Sequence, residues 1–146
     1  MNGEPDGPWV SMAIFCEKAL EEKDGVFSAI RIVDQIVQTA SGPEPPDRMP
    51  PLEINLVAFL LLRPGSLRGH YNLTLRASTP AGTELASTPF SIPILFPRDD
   101  AGINLRVNVF LKLDQEGVYW FNVLFGDRLL TRMPLRVMYR RELVPK

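Results

Sequence analysis

Short apolar runs alternate with clusters of glycine and proline along most of the chain. The most regular run, Ile103–Leu113, has isoleucine, valine or leucine at every odd position and mostly polar residues at the even ones. This period of two predicts a strand with one buried face. No stretch of useful length has the period of an amphipathic helix, so the pattern predicts an all-β chain.

We expect about eight strands, packed as an antiparallel two-sheet sandwich. The expected strands are Val10–Glu17, Val26–Val37, Leu52–Leu62, His70–Ala77, Leu85–Ile94, Ile103–Leu113, Val118–Phe125 and Arg128–Tyr139. Pro89 and Pro93 predict an edge position for the fifth of these, because proline cannot donate a hydrogen bond to a neighbouring strand. Gly126-Asp127 predicts a tight hairpin turn between the last two.

A chain of 146 residues is long enough for one domain with a full core. We expect a flexible N-terminus at 1–8, a single domain at 9–140 and a tail at 141–146. The N-terminus has no basic segment followed by an apolar one, and no apolar run approaches the ~20 residues that span a bilayer. These features predict a cytoplasmic protein.

The segment from Asp114 to Tyr119 carries a topological signal, because an acid and Gly117 precede a tyrosine at the start of a strand. In immunoglobulin-like Greek-key sandwiches such a tyrosine bonds back to the connection between the two sheets, an arrangement called a tyrosine corner. We expect Tyr119 to have this role. The alternative is an ordinary hairpin with a core tyrosine.

Several segments resemble a family of small bacterial proteins of unknown function. They are Ala13–Glu17, Asp24–Asp34, Gly69–Leu73, Thr79–Gly82, Gly117–Phe121, Gly126–Leu130 and Met133–Val137. The family is similar to immunoglobulin-like sandwiches in layout, so the resemblance implies that fold. It implies no activity, ligand, cofactor or catalytic residue.

The inventory of chemical groups argues against catalysis. His70 is the single histidine and Cys16 the single cysteine, which leaves too few ligands for a zinc site. A hydrolase would have to use one of these two residues, and neither has the sequence context of an activated nucleophile. We therefore expect no catalytic, cofactor-binding or metal-binding residues.

The third expected strand is apolar on both faces, although a two-layer sandwich needs one apolar face. Val57, Phe59 and Leu61 supply the surplus, and Phe110 and Trp120 add to it. This excess predicts a partner surface, often that of a homodimer. The alternative is that another segment of the chain covers it.

Arginines recur along the last strand at Arg128, Arg132, Arg136 and Arg140. Their even spacing places them on one face of a regular strand, as a basic strip. They could guard an edge strand against aggregation, pair with the acidic N-terminal part of the chain or of a second copy, or bind a polyanion. The net charge of −1 argues against nucleic acid and anionic membranes.

We expect a non-catalytic binding or assembly module that acts through a sheet face or loops, with another protein or a second copy as partner rather than a small molecule. The first alternative is a cytoplasmic carbohydrate-binding sandwich. It would require Trp9, Tyr71, Trp120 and Tyr139 to line one face. The second is a hydrolase using His70 or Cys16.

Overall fold

The computed structural model describes residues 7–99 and 101–146, and this part of the chain forms nine strands and no helix. The strands are β1 (Trp9–Glu21), β2 (Phe27–Val33), β3 (Gln35–Gly42), β4 (Leu52–Arg63), β5 (Gly69–Ser78), β6 (Phe90–Phe96), β7 (Ile103–Leu113), β8 (Gly117–Phe125) and β9 (Arg128–Leu143). The all-β expectation is confirmed. These two ranges therefore contain no helix that could cross a lipid bilayer.

The strands form two sheets. One has four strands in the order β2-β1-β4-β7, and the other has five in the order β3-β9-β8-β5-β6. The edge position expected from Pro89 and Pro93 is confirmed for β6, which pairs with β5 and with no other strand of the described residues. The expectation that all strands pair antiparallel is wrong for one pair, because β3 and β9 are parallel.

The segment Val26–Val37 is divided between two strands, whereas the sequence predicts one. Arg31 lies in the left-handed region with φ 57°, and β2 ends at Val33. Beyond Asp34 the chain enters β3 in the other sheet, and the Asp34 carbonyl accepts a 3.1 Å hydrogen bond from the Arg136 N–H. This division accounts for a ninth strand.

One apolar core fills the space between the sheets. The rings of Phe15, from the four-stranded sheet, and Phe121, from the five-stranded sheet, meet edge to face with centroids 4.9 Å apart. Leu60, Leu73 and Leu111 come from three further strands and are fully buried. Burial of each such side chain contributes roughly 1.5–3 kcal/mol to the stability of the fold. The single cysteine, Cys16, is free, so this core is stable without a disulfide.

The far end of the β1–β2 hairpin folds over the outer face of the four-stranded sheet. Phe27 packs against Phe59 with ring centroids 5.9 Å apart. The Arg106 guanidinium lies 5.1 Å from the centroid of Phe27, donates a 3.5 Å hydrogen bond to the Ala19 carbonyl and lies 3.9 Å from the Glu21 carboxylate. These contacts attach the hairpin to β4 and β7.

Tyr119 stabilises the connection between β7 and β8. Its hydroxyl accepts hydrogen bonds from the backbone N–H of Asp114 at 3.2 Å and of Gln115 at 3.1 Å. Burial raises the pKa of this hydroxyl, although the two N–H donors oppose the shift. A connection that passes from one sheet to the other is thereby held by a buried side chain.

Residues on both sides of 9–140 also contact the sandwich. Gly7 and Pro8 are buried, and the Arg128 guanidinium donates a 2.6 Å hydrogen bond to the Pro8 carbonyl. At the other end β9 continues to Leu143, which pairs with Gly42 of β3. The remainder of the expected flexible N-terminus, 1–6, lies outside the described residues.

Candidate interaction surface

The apolar residues expected to form one partner surface are divided between the two sheets. Val57, Phe59 and Leu61 lie on the outer face of β4, opposite the buried side of that strand. The β1–β2 hairpin covers Phe59, which is 3% exposed. The alternative considered for this strand, that another segment of the chain covers it, therefore applies at Phe59.

Phe110 and Trp120 are far apart in the topology. Phe110 lies on β7 at the edge of the four-stranded sheet and is 57% exposed. Trp120 lies on β8 inside the five-stranded sheet. The two residues belong to different layers, so they do not extend one patch.

The strand that carries the arginines is an interior strand. β9 lies between β3 and β8 in the five-stranded sheet and is hydrogen-bonded to both. β8 pairs with residues 128–137 of β9 and β3 with residues 136–143, so Arg136 has a strand on both sides, whereas Arg132 and Arg140 each have one on a single side. Charges that guard a strand edge are not needed at Arg136, and edge protection stays a prediction for Arg132 and Arg140.

Three of the four arginines share the exposed side of the sheet. Arg132, Arg136 and Arg140 alternate with the buried residues Met133, Leu135 and Val137. Residues four apart on a strand are separated by about 13 Å. The three guanidinium groups therefore form a widely spaced row along β9.

Arg128 is turned to the other side of the strand. The register between β8 and β9 shifts at Val123/Leu124, where Val123 pairs with Thr131 and Leu124 with Leu129. One extra residue in a strand reverses the side on which the preceding residues lie. Arg128 binds the N-terminal segment through Pro8 instead of extending the row.

A tryptophan lies beside the first member of this row. The Arg132 guanidinium is 4.1 Å from the centroid of the Trp120 ring, and its Nε donates a 3.2 Å hydrogen bond to Oδ1 of Asn122. A cation over an indole face is held electrostatically by the ring quadrupole. Trp120 and Arg132 are thus preorganised as one flat, partly charged surface.

The other two members of the row have no partner among the described residues. Neither the Arg136 nor the Arg140 guanidinium forms a hydrogen bond or ion pair with a described residue. Met138 lies between them on the same side of β9 and is the pairing partner of Val37 on β3. The side chains of Met138 and Val37 are each about 40% exposed. We call the surface formed by Val37, Trp120, Arg132, Arg136, Met138 and Arg140 the arginine face.

The residues considered for catalysis are not brought together. Cys16 is fully buried on β1, and burial raises the pKa of its thiol even though the Lys18 N–H opposes the shift. His70 is exposed near the start of β5 in the other sheet. A protonated buried thiol is a poor nucleophile, and a histidine in the other layer cannot activate it.

The aromatic residues considered for sugar stacking do not line one face. Tyr71 packs between Phe96 and Phe125, with ring centroids 5.8 and 5.5 Å away. The Tyr139 hydroxyl donates a 2.6 Å hydrogen bond to the Pro46 carbonyl. Trp9 lies at the start of β1 in the other sheet from Trp120. The platform that a carbohydrate-binding face requires is absent from this arrangement.

An open cavity of about 720 Å³ lies between the proline-rich loop that joins β3 to β4 and the β7–β8 connection. Two acidic side chains that line this cavity already have partners within the chain. Asp47 forms an ion pair with Arg141 at 3.1 Å, and the Glu116 carboxylate accepts a 3.2 Å hydrogen bond from the Tyr139 N–H. Within the described residues, no three histidine, cysteine or acidic side chains are placed to hold a metal ion.

Comparison with known families adds one finding. A family model described as a family of unknown function, DUF6941, matches residues 11–138. The chain belongs to this family. No curated protein matches the sequence. The region matched by the DUF6941 model contains all of β2 to β8 and most of β1 and β9. All residues of the arginine face except Arg140 lie within it.

Proposed function

We propose that this chain is a non-catalytic binding or assembly module that acts through the arginine face. The observation that carries the proposal is the position of Arg136 and Arg140. They are exposed on an interior strand and have no partner among the described residues. Pairing inside the described fold accounts for neither of them, and edge protection does not account for Arg136, which has a strand on both sides.

The chemistry of this face fits a protein partner with acidic and apolar side chains. Arginine binds carboxylates through paired N–H donors, while Met138, Val37 and Trp120 supply apolar contact area. Tryptophan and arginine are the residues most enriched among those that dominate binding energy at protein interfaces. A row spaced by about 13 Å suits an extended or flat protein surface better than a small molecule.

We also infer that the sandwich is an immunoglobulin-like Greek key. The inference is supported by β3 running parallel to β9 at the end of the five-stranded sheet and by the tyrosine-corner contact of Tyr119 with Asp114 and Gln115. This layout leaves the face of the five-stranded sheet open to partners. Bacterial origin, which the family resemblance implies, and a cytoplasmic location, which the sequence predicts, stay predictions.

The proposal is tested by quantitative affinity capture from the native host. The bait is the wild-type chain beside two charge-reversed variants, Arg136→Glu/Arg140→Glu and a control, Lys18→Glu/Arg63→Glu. The control makes the same change in charge at exposed residues of the other sheet. We expect a protein that is captured by wild type and control and lost with the arginine-face variant.

The captured protein is then purified and titrated against the chain, with isothermal titration calorimetry as the readout. Loss of Arg136 and Arg140 should weaken binding by at least tenfold, since hydrogen bonds to charged groups contribute about 1.5–3 kcal/mol each. Equal capture by all three baits would contradict the proposal.

A further inference from the structure

The four sheet edges differ in how well they are protected. β6 contains Pro93, β2 has seven residues and a left-handed Arg31, and β3 has eight residues. β7 is the exception. It has eleven residues and no proline, and it pairs with β4 at eleven successive positions without a shift in register.

A regular edge strand exposes a row of unpaired backbone N–H and C=O groups, and proteins normally blunt such edges. β7 pairs with β4 on one side and with no other described strand. Its free side could therefore accept an eleven-residue strand, a recognition mode in which backbone hydrogen bonds supply much of the affinity. Its side chains decide which strand fits.

We propose that the free edge of β7 pairs with β7 of a second copy in antiparallel register, which joins the two four-stranded sheets into one. The register that pairs all eleven residues places Ile103 opposite Leu113 and Asn108 opposite itself on a two-fold axis. A closed two-fold contact of this kind uses the same surface of both copies.

The side chains of β7 are self-complementary in this register. On the outer face Arg106 lies opposite the partner's Phe110, and Asn104 lies opposite the partner's Lys112, so like charges are not opposed. The Arg106 guanidinium remains over Phe27 of its own copy, so the exposed Phe110 ring packs on the aliphatic stem of the partner's Arg106. On the inner face the half-buried Leu105 and Val107 meet leucine and valine, which cross-strand pairing favours.

This inference goes beyond the proposed function because it uses the other layer of the sandwich. The β7 edge belongs to the four-stranded sheet and the arginine face to the five-stranded one. A dimer formed through β7 therefore leaves both arginine faces free.

The test is the oligomeric state measured by sedimentation velocity and light scattering. We expect a wild-type dimer. Asn108→Lys and Asn108→Asp should each raise the dimer dissociation constant at least tenfold, because each places like charges opposite one another on the axis. A mixture of the two variants should recover a one-to-one dimer. Asn108 is exposed, so both variants should keep the wild-type circular dichroism spectrum and fold as monomers.

Asn55→Lys is the matched control. Asn55 is an exposed asparagine on the same outer face, one strand inside the edge, and pairs with Phe110. This variant should remain a dimer. The charge-reversed arginine-face variant should also remain a dimer, which separates failure of this inference from failure of the proposed function.

A second measurement tests the register. Asn108→Cys should form an intermolecular disulfide under mild oxidation, since cross-strand neighbours have Cβ atoms about 4.5–5.5 Å apart. Asn104→Cys should not, because it lies opposite Lys112 of the other copy. A monomeric wild type overturns the proposal, even if the edge binds a strand of another protein. So does a dimer that the Asn108 variants leave intact, or a mixture of them that stays monomeric.

Discussion

The Arg132 guanidinium stacks on Trp120 with 4.1 Å between the charged carbon and the ring centroid. Both residues lie on the exposed side of the five-stranded sheet, on neighbouring strands. Their contact holds a long, flexible side chain in place before any partner arrives. Preorganisation of this kind lowers the entropy that binding costs.

The stacking should appear as a coupling energy in a double-mutant cycle with Trp120→Leu and Arg132→Met. Cation–π pairs at exposed sites contribute about 0.5–1 kcal/mol, and contacting residues depart from additivity by similar amounts. Urea unfolding of the wild type, the two single variants and the double variant measures this coupling energy. Strictly additive changes would show that the stacking has no energetic effect.

The Tyr119 hydroxyl should be needed for stability. Tyr119→Phe leaves the N–H groups of Asp114 and Gln115 without their acceptor, and we expect a loss of about 1–3 kcal/mol in the free energy of unfolding. Tyr71→Phe is the control, since the Tyr71 hydroxyl has no hydrogen bond to a described residue and its ring is also packed. Equal losses in the two variants would contradict the role assigned to Tyr119.

Tyr119 should also make the fold sensitive to alkali. Its pKa is raised in the folded state, so its contribution is fully present below the unfolded value of about 10 and is lost as pH rises through the folded pKa. The difference in stability between wild type and Tyr119→Phe should be constant up to about pH 9 and shrink above about pH 10. A difference that grows in alkali would have the wrong sign.

The Cys16 thiol should be protected from modification while the chain is folded. It is fully buried, and burial raises its pKa, so little thiolate is available to react. Alkylation by iodoacetamide at pH 8 should be slow in buffer and fast in denaturing urea. Rapid labelling of the folded protein would contradict the buried position on β1.

Gly117 should tolerate no side chain. Its φ is +123°, and a Cβ there would lie 2.8 Å from Cβ of Pro80. Gly117→Ala should therefore cost roughly 2–4 kcal/mol, because backbone strain and overpacking add. Gly126→Ala is the comparison, since a Cβ at φ +58° meets no atom within 4 Å and should cost about 1–2 kcal/mol. Thermal unfolding of both variants ranks the two costs.

The sequence predicts the strands well where side chains alternate and turns have strong formers. Ile103–Leu113 matches β7 at both ends, and Gly126-Asp127 forms the hairpin turn between β8 and β9. It does not predict the division after Val33, because Arg31 is not a residue type that signals a left-handed backbone. The run Val26–Val37 has strand-forming residues on both sides of the break.

The arginine row is predictable in composition but only partly in geometry. Even spacing correctly places Arg132, Arg136 and Arg140 on one side, but it cannot reveal the register shift that turns Arg128 away. Whether β9 is an edge or an interior strand depends on its pairing with the distant β3. Pairing between strands so distant in sequence produces no local sequence pattern. The position of the arginines relative to the neighbouring strands is therefore known only from the fold.

The pairing of β3 with β9 also bears on how the chain is made. β9 is the last of the described strands to leave the ribosome, yet all eight residues of β3 are paired with it. Until β9 emerges, β3 has no neighbour in its own sheet and the apolar inner side of that layer stays incomplete. Closure of the fold must therefore follow translation of β9, and nascent chains should depend on chaperones until then.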